Sequence, residues 1–399
     1  MPETVPRIGE EKKRLPRQPG FSDEALFLSD APIPGPAKEA QRAPAGYAAR
    51  TLTDWTALEA LQESWQDLAS DCAELNPFYE PWMLLPALRS FARTQRVEVV
   101  VVSRGERLCG LFPMGFRRGR AELWRHPYCY LTAPLLRRGC ERAAIRCWLD
   151  AMASRASLLR LEDVPGEGSV RLHLIDELNE RGWPALVSTA YTRAVLRRAG
   201  SAEEFLNRAL ASKRRKEFRR QRARLSELGT LTTDELPAGA DPIPWVDEFL
   251  NLEAQGWKGR DGVDSLRDRT FVQQMAAGAA RGGKLQMLAL RLDGKPVALK
   301  MNFVGGEGAF AFKITFDESF GRFSPGVLLE IDNVERAHQL PALRWMDSCA
   351  APNRFMINHL WPDRREMQTV FFSTGSRLGD LHVSLVPFFQ FLRRLVSRA

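Results

Sequence analysis

The stretch VEVVVVSRGERLCGLFPMGF (97–116) is apolar almost throughout and breaks once, at Arg104-Gly105-Glu106. Two buried strands joined by a tight turn give that pattern. Around it the spacing changes. Residues 54–73 and 81–93 repeat their apolar positions at helical intervals, with Asn76-Pro77-Phe78-Tyr79-Glu80 as the loop between them. AELWRH (121–126) reads as a third strand and LLRLEDV (158–164) as a fourth, with helices at about 139–155 and 169–182 on either side of it.

The second half repeats this order. KLQMLALRLDGKPVALKMNFVGG (284–306) is again a strand pair, with Asp293-Gly294 as its turn signal. GAFAFKITF (308–316) is the third strand. A helix over 325–339, a strand over 342–349, a short helix near 353–361 and strands at 369–373 and 381–385 follow. RGERLCGLFPM and LDGKPVALKMN superimpose at an offset of about 188 residues, so one α/β unit is read as duplicated within the chain. The expected domains are 46–200 and 201–399, with the working site in the second. Residues 1–45 hold prolines at 2, 6, 16, 19, 32, 34, 36 and 44 and too few apolar residues for a core, so they read as a disordered tail.

Composition narrows the class. A chain of 399 residues with 44% hydrophobic and 27% charged residues is globular. Its formal charge of +8 suits an anionic ligand or surface without demanding nucleic acid. The six cysteines show no paired spacing and read as reduced thiols, which with the absence of a signal-like or membrane-spanning apolar run points to the cytoplasm. The five histidines have no ligand spacing, so no metal site is expected.

Two segments carry a charge pattern. In 201–229, Ser201 with Glu204 forms a capping box, and eight of the twelve residues 213–224 are Lys or Arg. This is expected to be one basic helix with an apolar stripe at Ala211, Phe218 and Leu225. It serves either to attract phosphates or as a solvated face; with Phe218 alone interleaved, dedicated nucleic-acid binding is not expected. At the C-terminus, Phe388, Phe391, Leu392 and Leu395 share a helical face flanked by Arg393, Arg394 and Arg398, which fits either packing on the second domain or peripheral contact with a membrane surface.

A third segment changes character halfway. In FKITFDESFGRFSPGVLLEIDNVERA (312–337) an alternating strand gives way to a glycine-containing turn and then to a helix, with Ser324 as N-cap and Pro325 at its first position. Such a unit is either a tight connection or a seat for a phosphate, because unsatisfied N–H groups and the helix dipole meet there.

NPFYEPWMLLPAL (76–88), the basic helix, LEAQGWKGRDG (252–262), FKITFDESFGRFSPGVLL (312–329) and WMDSCAAPNRFMINHLWPDRR (345–365) occur in the order of a known family. From about 46 to 390 the chain resembles the two-domain CelD-like acetyltransferases of polysaccharide loci, relatives of the FemAB/FemX transferases, with the acyl-CoA N-acyltransferase (GNAT) fold. The resemblance implies an α/β (α+β) protein of two tandem GNAT-like domains, mixed sheets flanked by helices. It implies an acyl-CoA such as acetyl-CoA as donor and an amine-bearing or sugar acceptor from an envelope or polysaccharide precursor. The cofactor group is then Ile314, Thr315, Phe316, Gly321, Arg322, Ser324, Gly326 and Val327, with 320–326 around the CoA pyrophosphate. Pro325 stands where the family's loop has its first glycine, so one backbone donor is missing.

Asp347, at a strand end facing the same cleft, is the first choice for general base or acceptor anchor, against a role as a structural cap; Asp317 on the neighbouring strand is the second. Glu253, Trp257 and Lys258 are suited to binding a sugar or peptide acceptor, with Tyr79 and Trp361 as further candidates. Two other functions fit the same residues: a FemX-like aminoacyl-tRNA-dependent transferase, and a non-catalytic scaffold in a biosynthetic complex. The sequence leaves the oligomeric state open.

Overall fold

The computed structural model describes residues 25–26, 44–117, 119–256, 266–352 and 355–396. The proposed tail therefore lies outside the described residues, apart from 25–26 and 44–45.

The first half consists of β1 (Ala25–Leu26), β2 (Tyr47–Leu52), α1 (Trp55–Glu59), α2 (Gln62–Ser70), α3 (Pro81–Phe91), β3 (Arg96–Arg104), β4 (Arg107–Arg117), β5 (Arg120–Leu123), β6 (Leu135–Leu136), α4 (Glu141–Ala153), β7 (Leu158–Pro165), α5 (Ser169–Arg181) and β8 (Ala185–Arg197). The second adds α6 (Ala202–Ala209), α7 (Ser212–Ser226), β9 (Leu231–Glu235), α8 (Ile243–Gln255), α9 (Leu266–Arg281), β10 (Leu285–Leu292), β11 (Lys295–Gly305), β12 (Gly308–Phe316), α10 (Pro325–Gln339), β13 (Trp345–Asp347), α11 (Phe355–Leu360), β14 (Asp363–Ser373) and α12 (Arg377–Val396).

All strands join one mixed sheet in the order β2-β3-β4-β5-β7-β14-β8-β13-β12-β11-β10-β9, with β1 on β8 and β6 on β4. The duplication is visible in the pairing. β3 and β4 turn between Arg104 and Arg107, as β10 and β11 do between Leu292 and Lys295. The strand after the hairpin of each half is followed by a helix and then by a parallel neighbour: β5 with β7, and β12 with β13. The last strand of each half then crosses over. β8 lies against β13, and β14 lies between β7 and β8. The division at residue 200 is a division of the chain; the sheet runs through it without a break.

The helices between the halves are tied by shape and charge. Trp82 of α3 lies over Gly278 of α9, where an added Cβ would fall 2.8 Å from the Trp82 Cβ. Glu80 accepts from Trp82 Nε1 at 2.8 Å and pairs with Lys284 at 2.5 Å. Asn76 accepts from the Phe78 N–H and donates to the Leu131 and Ala133 carbonyls. The polar cluster at 76–82 thus fastens the halves together.

Two expectations change. The basic helix is two helices, broken at Leu210, whose backbone is extended. Phe205 and Phe218 would sit about 140° apart on a straight helix at 3.6 residues per turn, so one straight rod cannot bury both. The break lets Phe205, Phe218 and Leu225 reach the same core as α10. The capping box at Ser201 and Glu204 is formed as expected. Residues 381–385 are not a strand but part of α12. An alternation of five residues also satisfies the i, i+4 spacing, and here Val383 is the position that packs on the sheet.

Candidate active site

β13 pairs with β12 only at Gly308, Ala309 and Phe310, and then leaves the sheet. β12 runs on to Phe316, so the two parallel strands part and a cleft opens along Ala311–Phe316. A bulge at Phe312 falls at the parting point, where the β11 register jumps from Met301–Lys313 to Asn302–Ala311. It brings Phe312 and Lys313 onto the side facing α8 and the first half, where Phe312 packs near Tyr128 and Tyr130.

One wall of the cleft is ionic. Lys313 Nζ lies 2.8 Å from both carboxylate oxygens of Glu253, at the end of α8, and 5.4 Å from the Tyr128 ring centre. Burial, with the charges of Asp268 and Glu253, pushes the Tyr128 hydroxyl above its usual range, so it stays protonated. Gly256 lies against Glu318, so the end of α8 and the turn after β12 converge. Trp257 and Lys258 lie outside the described residues.

The floor ends in the turn Glu318–Phe323 and the start of α10. Asp317 caps the turn, accepting from the Ser319 N–H at 2.9 Å and the Ser319 hydroxyl at 2.7 Å. Ser324 takes the N-cap position in a left-handed conformation (φ 53°, ψ 49°), and its hydroxyl makes no capping bond. The Val327 N–H donates to the Ser324 carbonyl at 2.9 Å, so that amide is occupied within the helix start. Gly321 has open space where a Cβ would be, whereas a Cβ on Gly326 would meet Phe316 at 3.2 Å. Gly326 thus answers to packing on β12. Arg322 is exposed and stacks on Phe323 at 4.6 Å.

Alongside lies α7, which packs against this turn. Its Arg222 donates to the Leu328 carbonyl and pairs with Asp332 of α10. Lys213, Arg214, Lys216, Arg219 and Arg224 have no ion-pair partner among the described residues. Between α6, α7 and α10 a cavity of about 560 Å³ has an apolar floor of Leu206, Phe218, Leu328 and Ile331 and Arg219 at its rim.

Other candidates sit elsewhere. Asp347 is 0% exposed and engaged on both oxygens. Arg193 reaches it at 2.7 and 2.8 Å, Arg365 at 3.1 Å, and the Cys349 N–H donates to it at 2.9 Å. That geometry is an ion-pair brace between β13, β8 and β14, with no lone pair turned to the cleft. Burial and the Asp347 charge push the Cys349 thiol far up, which leaves it inert. Tyr79 is fully buried and donates to the Trp124 carbonyl at 2.9 Å, and Trp361 is fully buried near Lys300. Both are core side chains. Sequence reading missed Lys313 as the partner of Glu253; its place in an otherwise aromatic strand was the available signal.

The equivalent cleft of the first half is filled. After β5 the segment 124–134 folds back, and Trp124, Tyr128, Cys129, Leu131, Thr132 and Ala133 are all buried there. Among the described residues no group of His, Cys, Asp or Glu is arranged to hold a metal ion.

Residues 212–355, which include α7, the cleft and α10, match the family described as acetyltransferase (GNAT) domain. The second half has a GNAT-like fold. By that match the protein is an acyltransferase. No curated protein matches the chain. Solved structures share the fold at low identity. A conserved protein of unknown function from Bacteroides thetaiotaomicron is 14% identical, with TM-score 0.53, over 79% of this chain and 97% of that one. The C-terminal domain of a putative lysylphosphatidylglycerol synthetase from Agrobacterium fabrum is 12% identical, with TM-score 0.52, over 81% and 94%. FemX is 9% identical, with TM-score 0.51, over 78% and 95%.

Proposed function

We propose that the protein is a cytoplasmic N-acyltransferase that moves an acyl group from an acyl-CoA, such as acetyl-CoA, to the amine of an envelope or polysaccharide precursor, with its site in the second half. The observation that carries this is the parting of β12 from β13, which leads directly into the α10 N-terminus beside the cations of α7. A thioester is already activated, so the protein needs to align donor and acceptor, polarise the carbonyl and accept a proton. Main-chain groups of the Ile314–Phe316 stretch face the carbonyl. Arg322 and Ser324, at the positive end of the α10 dipole, take the diphosphate. The cavity between α6, α7 and α10 has room for the adenosine end. Glu253, held by Lys313, receives the acceptor amine and its proton as the C–N bond forms; the C–S bond breaks, and the CoA thiolate leaves and is protonated to the free thiol; the brace at Asp347 takes no part.

The exposed cations of α7 favour one other reading, an aminoacyl-tRNA donor, since a long polyanion would engage Lys213, Lys216, Arg219 and Arg224 together. Calorimetry with acetyl-CoA and longer acyl-CoAs separates the two. Binding that weakens about tenfold in Arg322→Glu supports the CoA reading. Glu253→Gln is expected to keep donor binding and lower turnover by about 100-fold. Absence of heat with every acyl-CoA, together with retention of charged tRNA on a filter, would overturn it in favour of the second reading.

A further inference from the structure

The helix α12 has two apolar faces, and the sheet uses one. Val383 packs on Leu158, Leu186 and Phe371, with Val386 beside it. On the other side Leu378 is 79% exposed, Leu381 56% and Phe388 54%. At about 100° per residue, Leu378, Leu381, Leu385 and Phe388 fall within about 80° of one another, far from Val383. Three of the six large apolar side chains most exposed among the described residues are therefore gathered on one helix face.

Next to α12, on the same face of the sheet, lies a cavity of about 470 Å³ lined by Arg117, Arg120, Arg160, Glu122, Leu158 and Phe371. Phe371 belongs to both features: it floors the cavity and packs under Val383. Arg117 and Arg120 are exposed and have no ion-pair partner among the described residues. An apolar row beside an arginine-lined hollow matches a surface that is apolar inside and negative outside.

We propose that this face docks on an anionic lipid surface, with the outer row of α12 entering the headgroup region and the hollow at Arg117 and Arg120 taking a lipid phosphate. No described helix is long and apolar enough to cross a membrane, so α12 lies in the interface plane. A second copy of the chain fits less well, because a twofold contact through this face would bury two copies of the Arg117 and Arg120 hollow in one interface. The inference stands apart from the choice of acyl donor, since the surface is on the first half's strands and the last helix, away from the β12–β13 cleft.

Co-sedimentation of the full chain with vesicles tests it. Vesicles of phosphatidylcholine with phosphatidylglycerol should pellet the protein, and vesicles of phosphatidylcholine alone should not. Leu378→Gln with Leu381→Gln, and separately Arg117→Glu with Arg120→Glu, should each weaken partitioning by about tenfold or more. All four positions are exposed, so melting temperatures should match the parent, which shows that the variants are folded. Equal pelleting of parent and variants, or no pelleting of the parent, overturns the proposal. So does a parent dimer in gel filtration that the leucine pair dissolves, which would give the face to a second copy.

Discussion

Asp347→Asn separates a brace from a base. The substitution keeps an acceptor for the Cys349 N–H but removes the charge opposite Arg193, which is itself buried. The Asp347 charge outweighs the burial of Arg193 and holds that guanidinium more firmly charged than usual, so it cannot relieve itself by losing a proton. Removing one partner of a buried pair typically costs about 3–5 kcal/mol. At about 1.2 °C per kcal/mol for a chain of this size, the melting temperature should fall by about 4–6 °C. Removing both partners, in Asp347→Asn with Arg193→Met, should recover part of that loss, since two neutral side chains leave no buried charge. The assay is thermal melting by circular dichroism beside acyl transfer rates per folded molecule. A variant that melts within about 1 °C of the parent while losing turnover by about 100-fold would refute the brace and restore Asp347 as the base.

Two further outcomes follow from packing. Burial among Phe91, Trp124 and Phe271 pushes the His126 imidazole down to about 3 from 6.5, so the folded protein keeps it neutral while the unfolded chain protonates below pH 6.5. Stability is therefore present above that pH and is lost as pH falls towards 3, by about 2 kcal/mol at pH 5; His126→Phe should flatten the acid side of the melting profile, and parallel profiles would count against it. Gly308→Val should destabilise by about 1–3 kcal/mol in urea titration, because an added Cβ would fall 2.4 Å from the Trp345 ring, and an unchanged midpoint would show that the β12–β13 contact yields freely.

Element order was legible because each half alternates strongly periodic segments, and the turn chemistry at Gly105 and at Asp293-Gly294 marks the hairpins directly. The strand exchange was not legible, because pairing partners leave no trace in a strand's own pattern: β8 alternates in the same way whether it lies on β7 or on β13. Nor could local sequence tell Asp347 at a strand end from a catalytic carboxylate, since Arg193 lies 154 residues away along the chain. Glu253 was singled out for its neighbours Trp257 and Lys258, yet the cation that holds it, Lys313, comes from the sheet. The turn at 318–324 was recognisable from Asp317, Gly321 and Pro325, whereas the left-handed backbone at Ser324 is a consequence of joining that turn to a helix.

The exchange of β8 and β14 also explains why one cleft is open and the other filled. Each half has the same strand after its hairpin, then a helix and a parallel neighbour, so each has the same place for strands to part. In the first half the chain leaving β5 must reach the seam between the halves, where Tyr128 and Tyr130 meet Phe312 and the Tyr130 carbonyl accepts from Arg193 at 2.7 Å. That path fills its own cleft and builds a wall of the other. Arg193 in turn holds Asp347, which fixes the end of β13 where it leaves β12. The first half thus acts on the second through a continuous set of contacts from its closed cleft to the edge of the open one, and an isolated second half would lose β8, the wall at Tyr128 and the brace together.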